Sequence, residues 1–241
     1  MSKCSIIQTI ELEEDSNILY SMISLPKISK QKNKNYFCTG DDNHILIFES
    51  NKIPKHDENE DNKEDRNESI RFTLIKDIKL NTLTHCILEI NEKYIAAACP
   101  KAKSIIFFDA INNFNKVAEV KDVSSSFGSN ILSLMPNQDI LIVACSNGFN
   151  LISTKKFKKY KGVNCRYNVL SLDMVNNNTI ICCCSEEKNN KIKQYNINDN
   201  DYTFKKLSER KIFNNDEIWR IKIINERIFY LDSKSVLCYL K

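Results

Sequence analysis

The chain has 241 residues, of which 42% are hydrophobic and 27% are charged, and its formal net charge is +4. These fractions are those of an ordinary globular protein, and the small charge excess excludes the strongly basic composition of a dedicated nucleic-acid binder. No window approaches about 18 uninterrupted apolar residues, so no membrane span is expected.

The first residues, MSKCSIIQTIELEEDS, lack the apolar core of a signal peptide and reach acidic residues by Glu11. We therefore expect an intracellular protein, located in the cytoplasm, with the nucleus left open. The ten cysteines are then expected to remain reduced thiols.

Short apolar strands alternate with polar turns along the chain. After a first predicted strand, CSIIQTIEL (4–12), each of five segments reads as an apolar strand, a polar turn and a second, alternating strand, which predicts a β-hairpin. These segments are YFCTGDDNHILIFES (36–50), YIAAACPKAKSIIFFDA (94–110), ILIVACSNGFNLIST (140–154), TIICCCSEEKNNKIKQYNI (179–197) and RIFYLDSKSVLCYLK (227–241).

A further strand is predicted before each hairpin, from apolar residues spaced two or three positions apart. These sets are Tyr20/Ile23/Leu25, Leu83/Cys86/Leu88, Leu132/Leu134, Tyr167/Leu170/Leu172 and Ile218/Ile221/Ile223. A more polar strand follows most hairpins, at FTLIKDIKL (72–80), KVAEVKDV (116–123), KKFKKY (155–160) and YTFKKL (202–207). Four strands in about 40–45 residues are typical of one β-propeller blade.

The sequence thus predicts a single all-β domain over residues 1–241, a β-propeller of about five four-stranded antiparallel blades. Residues 4–12 are predicted to supply the outer strand of the last blade, which closes the ring and removes exposed sheet edges. A shortened seven-blade parent fits the same local pattern. The segment KIPKHDENEDNKEDRNES (52–69) is rich in charge and poor in apolar residues, which predicts a disordered insertion within the first blade.

Two segments, CTGDDNHILIFES and DEIWRIKIINERIFYLDSKSVLCYLK, resemble blades of the WD-repeat β-propeller family. Periodicity carries this resemblance, because the family's Trp-Asp pair is absent (Phe108-Asp109 comes nearest) and no Gly-His dipeptide precedes the first strands. The resemblance implies a non-catalytic protein-interaction scaffold, a subunit or adaptor of an intracellular complex, with no cofactor.

A propeller of this kind is expected to receive a peptide or protein partner on its rim, where the first strands begin beside the central channel. Trp and Arg are enriched among binding hot spots, so Trp219 and Arg220 are the leading candidates. A packing role for Trp219 is equally open. The remaining rim candidates are Asp15, Asn81, Phe127, Tyr167 and Asp216.

The segment KKFKKYKG (155–162) interleaves lysines with Phe157 and Tyr160. This pattern predicts either an outer strand that its lysines protect against edge pairing or a polyanion site. The second interpretation makes an RNA-binding or phosphoinositide-binding propeller an alternative function. Its candidate residues are Lys155, Lys156, Lys158, Lys159 and Lys161.

Three cysteines stand side by side at Cys182, Cys183 and Cys184. Neighbouring strand residues point to opposite faces of a sheet, so the three sulfurs cannot converge on one ion. No Cys-x-x-Cys pair and no Cys/His pair with zinc spacing occurs. We expect these cysteines to act as small apolar packing residues, with no metal bound.

Sequence motifs for a hydrolase nucleophile, a nucleotide-phosphate loop and a zinc protease are all absent. One enzyme alternative remains. The order TGDD, FFDAINN, LIVACSNGFNLI and IICCCSEE faintly resembles the diphthine methyl-esterase branch of the WD-repeat proteins. That branch has a glycine-rich Val-Trp-Arg segment where this chain has SSSFGSNILSLMP (124–136), which differs at most positions.

Overall fold

In a computed structural model, the described part of the chain forms five antiparallel sheets and one short helix. It describes residues 19–53, 69–123, 132–135, 139–165, 167–186, 189–198, 200–211, 218–224, 227–232 and 237–240. Strands that are consecutive in the chain are neighbours in each sheet, so every sheet is a simple meander. The all-β class and the four-stranded antiparallel sheets predicted from the sequence are confirmed.

The sheets follow one another along the chain. The first contains β1 (Ser21–Ser24), β2 (Asn35–Gly40), β3 (His44–Ile53) and β4 (Ser69–Lys79). The second contains β5 (Cys86–Glu89), β6 (Tyr94–Cys99), β7 (Ser104–Asp109) and β8 (Asn115–Lys121). The third contains β9 (Leu132–Leu134), β10 (Ile140–Cys145), β11 (Gly148–Ser153) and β12 (Lys158–Asn164).

The fourth sheet contains β13 (Asn168–Asn176), β14 (Thr179–Glu186), β15 (Asn189–Ile197) and β16 (Phe204–Lys211). The fifth has three described strands, β17 (Ile218–Ile224), β18 (Arg227–Asp232) and β19 (Leu237–Leu240). All five predicted hairpins are present. The predicted closing strand at 4–12 lies outside the described residues.

The core consists of four seams, each formed where two successive sheets pack face to face. Adjacent residues of a central strand face opposite seams: Ile180 and Cys182 of β14 face the third sheet, whereas Ile181 and Cys183 face the fifth. Because both faces of such a strand are covered, its sequence reads as an unbroken apolar run. The first strands of successive sheets are also neighbours, in the order β1, β5, β9, β13, β17.

A β-bulge recurs at the same place in the outer strand of all four four-stranded sheets. In each of these sheets, the pairing between the third and the outer strand skips one residue of the outer strand. The outer strands are β4, β8, β12 and β16. A bulge leaves its extra residue unpaired and increases the local twist. Each of the skipped residues is a large apolar or aromatic residue that is 42–54% exposed: Ile75, Val117, Tyr160 and Leu207.

A short helix, α1 (Pro26–Lys32), connects β1 to β2. Pro26 favours the first helical turn, and Asn33 ends the helix in the left-handed region with φ of 53°. The sequence prediction missed this helix. Glu89 of the second sheet accepts hydrogen bonds from the backbone N–H groups of Lys27 (3.1 Å) and Ile28 (2.9 Å). The carboxylate thus caps the helix and links it to the second sheet.

Two predicted boundaries are corrected by the structure. The outer strand predicted at 155–160 begins only at Lys158, because Phe157 has a positive φ of 47° and packs its ring against Phe107 at 4.9 Å. Residues 52–53 and 69, which the prediction includes in the insertion at 52–69, pair instead in the ladder between β3 and β4. The rest of that segment lies outside the described residues.

Within the described ranges, no helix has the length and apolar character needed to cross a membrane.

Candidate binding surfaces

The rim candidates Trp219 and Arg220 lie in β17, the first strand of the fifth sheet, as the sequence predicts. Trp219 is the residue skipped by a register shift in the pairing with β18: Ile218 faces Asp232 and Arg220 faces Leu231. Bulges are frequent next to functional sites because they re-aim a side chain. Asn81 is exposed in the loop between β4 and β5. Asp15, Phe127 and Asp216 lie outside the described residues.

Tyr167 is a core residue rather than an exposed anchor. It is 8% exposed and packs in the seam between the third and fourth sheets. The Nζ atom of Lys193 lies 3.7 Å from the centre of its ring, a cation–π contact. Its hydroxyl group forms a hydrogen bond with the hydroxyl of Tyr195. Burial is the largest cause of the raised pKa of both tyrosines.

The lysine segment divides between a turn and an edge strand. Lys155 pairs with Asp139 at 2.8 Å in the turn, whereas Lys158 and Lys159 are exposed on β12. Among the described residues, no carboxylate pairs with either of these two lysines. Lys161 faces the fourth sheet and donates a hydrogen bond to the backbone carbonyl of Asp201 (3.3 Å). Lys156 is exposed in the turn.

The two aromatic residues of that segment have opposite environments. Phe157 is packed in the seam between the second and third sheets, where it contacts Tyr94 and Phe107. Tyr160 is the exposed bulge residue, and its ring meets Tyr202 edge to face at 5.2 Å. Tyr202 is partly buried against the seam between the third and fourth sheets, so Tyr160 is the accessible ring of this pair. An exposed aromatic ring with lysines beside it has the composition of a single-strand stacking surface.

The three adjacent cysteines are buried in β14, with exposures of 0%, 1% and 0%. Cys182 and Cys184 share one face, with their sulfur atoms 3.5 Å apart, and Cys183 lies on the other. Burial raises the pKa of the Cys182 and Cys183 thiols, which suppresses the reactive thiolate form. The predicted packing role is confirmed. In the part of the chain that the structure describes, no group of three or more His, Cys, Asp or Glu could hold a metal ion.

The acidic pair Asp41-Asp42 lies in the turn between β2 and β3. Asp41 is 2% exposed, and its Oδ1 atom accepts hydrogen bonds from the backbone N–H groups of Asn43 (2.8 Å) and His44 (2.5 Å). The presence of Asp41 is therefore explained by the conformation of the turn, which its carboxylate stabilises. Segment 124–136, which bears on the esterase resemblance, is described only at 132–135.

A cavity of about 940 Å³, the α1 groove, opens between α1 and one face of the first sheet. Sequence reasoning missed it, because its walls come from four separate segments. The residues that define its chemistry are Met22 and Ser24 of β1, Pro26 and Lys30 of α1, Phe37 of β2 and Phe72 of β4.

No family model matches this chain, and no curated protein matches it.

Proposed function

We propose that this chain is a β-propeller of about five blades that acts as a non-catalytic protein-interaction scaffold. The repeated seam is the observation that carries the proposal. Each sheet packs face to face with the next, and the first strands of successive sheets stand side by side. Sheets joined in this way are expected to fan out around a common axis, as blades do.

Burial on the far face of the first sheet supports ring closure. Ile45 and Ile47 of β3 face the second sheet, whereas Leu46 and Phe48 face away from it. Leu46 and Phe48 are nevertheless only 7% and 2% exposed. The ring of Phe37 on the same sheet covers Phe48, with centroids 4.6 Å apart, and a ring in which the last blade packs on this face would account for the burial of Leu46. The strand predicted at 4–12 would then complete the fifth sheet.

The resemblance to WD-repeat blades and the repetition of the same sheet along the chain support the scaffold function. Rigid sheets hold the loops that connect them, and such loops commonly carry binding residues. Trp219 and Arg220 stand at a register shift in the pairing of β17 with β18, and such irregularities are frequent next to functional sites. We infer that these two residues anchor a protein partner on the rim, with Asn81 on the same surface.

A pulldown from the lysate of the native organism tests this function. The protein and its Trp219→Ala variant are compared at salt concentrations of about 0.15 M and about 0.5 M, the second of which screens surface charge strongly. We expect a stoichiometric protein partner that survives the higher salt and is lost with Trp219→Ala. Tyr160→Ala, which removes an exposed aromatic side chain on an outer strand, serves as the matched control and should retain the partner.

The exposed ring of Tyr160, which meets Tyr202 edge to face, favours a second candidate function, binding of single-stranded nucleic acid. In that case the pulldown recovers nucleic acid that is released by salt. Tyr160→Ala and Lys159→Glu should then weaken binding of a single-stranded RNA, and Trp219→Ala should not. Tyr160→Ala and Trp219→Ala therefore have opposite expected effects under the two functions: a scaffold loses its partner only with Trp219→Ala, and a nucleic-acid binder is weakened only by Tyr160→Ala. Recovery of nucleic acid alone would contradict the scaffold proposal.

A further inference from the structure

The outer strands β12 and β16 carry the same kind of tripeptide at their bulges. Two lysines precede the bulge residue in each strand, Lys158-Lys159-Tyr160 in the third sheet and Lys205-Lys206-Leu207 in the fourth. The corresponding tripeptides of the first two sheets are Thr73-Leu74-Ile75 and Asn115-Lys116-Val117. Among the four outer strands that the structure describes, the lysine pair is therefore confined to the last two.

Contacts between the third and fourth sheets bring these two outer strands together. The ring of Tyr160 in β12 meets that of Tyr202, which lies just before β16, with centroids 5.2 Å apart. The Nζ atom of Lys161 donates a hydrogen bond to the backbone carbonyl of Asp201 (3.3 Å). The strands β12 and β16 therefore form one continuous surface, the basic edge.

Positive charge dominates the basic edge. Its one acidic residue, Glu209, already pairs with Lys206 at 3.1 Å and with Lys191 of β15 at 3.0 Å. Five further basic residues are exposed, and no carboxylate of the described residues pairs with them. These residues are Lys158, Lys159, Lys205, Arg210 and Lys211. Clusters of about 4–8 basic residues are attracted to anionic lipid headgroups.

Each bulge presents an apolar side chain among these charges. Tyr160 is 54% exposed and Leu207 is 51% exposed, and the ladder with the third strand skips both of them. Tyrosine is enriched at the boundary between water and lipid, and leucine gains from any apolar burial. A single-stranded nucleic acid uses aromatic rings as stacking surfaces, so it would leave Leu207 without a function. A bilayer surface uses both side chains.

We propose that the basic edge binds the surface of an anionic lipid bilayer. Its lysines and Arg210 would lie at the headgroups, and the side chains of Tyr160 and Leu207 would insert among them. Affinity for such a surface grows with the apolar area buried and with the attraction to anionic lipids. The inference goes beyond the proposed scaffold function and does not depend on it, because the outer strands lie at the opposite edge of their sheets from the first strands.

Co-sedimentation of the full chain with lipid vesicles tests the proposal. We expect binding to vesicles of equal parts phosphatidylcholine and phosphatidylserine, and none to vesicles of phosphatidylcholine alone. Lys158→Gln combined with Lys205→Gln should weaken binding by about tenfold or more, because two cations leave the anionic surface. Tyr160→Ser combined with Leu207→Ser should weaken it by about fivefold or more, because two apolar side chains no longer insert.

The matched control is Ile75→Ser combined with Val117→Ser, which removes the bulge residues of the first two sheets, where the lysine pair is absent. This control should bind within about twofold of the unchanged protein. Circular dichroism of every variant separates a loss of binding from a loss of folding.

Equal binding to the two kinds of vesicle, or insensitivity to both variants of the basic edge, would overturn the proposal. Absence of vesicle binding would also overturn it, and binding of a single-stranded poly-uridine RNA that Tyr160→Ser alone weakens would then assign the surface to nucleic acid. A Trp219-dependent protein partner recovered alongside any of these failures would reject the membrane surface and leave the scaffold function standing.

Discussion

Two strands of the fourth sheet differ sharply although they belong to the same hydrogen-bonded meander. In β14, every residue from Ile180 to Cys184 is buried, whereas in β16 only Phe204 is partly buried and the remaining residues are exposed. Backbone pairing is continuous from one to the other. The difference shows that apolar burial in the seams, rather than sheet hydrogen bonding, distinguishes the stabilising strands from the surface ones.

The outer strand uses charge where the inner strand uses packing. Glu209 of β16 pairs with Lys191 of β15 at 3.0 Å and with Lys206 at 3.1 Å. These lysines lower the pKa of Glu209 to about 2. Ion pairs near the surface contribute little compared with a buried apolar side chain, so mutations in the two strands should differ in magnitude.

The largest effect is expected for Ile180→Ala in β14. Ile180 is 0% exposed in the seam between the third and fourth sheets. Removing its side chain loses apolar burial and leaves a cavity, which costs about 2–5 kcal/mol of the free energy of unfolding. Urea denaturation followed by circular dichroism measures the loss. A change below about 0.5 kcal/mol would show that the seam does not stabilise the protein.

A smaller effect is expected for Cys183→Ser, which replaces a thiol by a hydroxyl in the seam with the fifth sheet. Cys183 is 1% exposed beside Ile192 and Ile221. Burying a hydroxyl without a partner costs about 1–3 kcal/mol. The same urea measurement with Cys183→Ala provides the control, because that variant removes the sulfur without adding a polar group. Equal losses in the two variants would contradict the burial of this thiol in an apolar seam.

Acidification should remove the contribution of Glu209. Its pKa in the folded protein is about 2, below the ordinary value of 4.5. The contribution is therefore fully present above about pH 4.5 and is lost as the pH falls through about 2. Glu209→Gln should lower the urea midpoint at pH 7, and the gap between the two proteins should close over that acidic range. Glu92→Gln, at an exposed position, is the control; a gap that does not vary with pH would contradict the ion pairs.

The smallest effect is expected for Leu207→Thr. Leu207 is the bulge residue of β16 and is 51% exposed. Its side chain loses little burial on substitution, and threonine suits a strand. We expect the free energy of unfolding to change by no more than about 0.5 kcal/mol. A loss as large as that of Ile180→Ala would mean that the outer strand is covered by another part of the chain.

Much of the fold could be predicted from the sequence because strand formation has a local signature. The run Ile180–Cys184 is apolar without interruption, and the structure confirms a central strand there. The helix α1 also had a readable signal, since Pro26 and Asn33 mark its two ends. Sequence analysis missed this helix because, in the predicted blade pattern, the first two strands of a blade are joined directly.

The binding surfaces were harder to predict because they depend on residues far apart in the chain. Tyr167 has the residue type of a rim anchor, but its contacts with Lys193 and Tyr195 place it in a seam. Phe157 and Tyr160 look equivalent in the sequence, yet one is packed against Phe107 and the other is exposed. A repeat pattern says which residues are apolar and leaves open which of them find a neighbour.

Local chemistry therefore accounts for the strands, their turns and their order, since alternation and turn residues act over a few positions. Contacts between segments account for the rest. The position of the bulges, the burial of Tyr167 and the assembly of the α1 groove from β1, α1, β2 and β4 follow from how the sheets pack on one another. That packing depends on the shapes of whole faces, and a face is built from several strands at once.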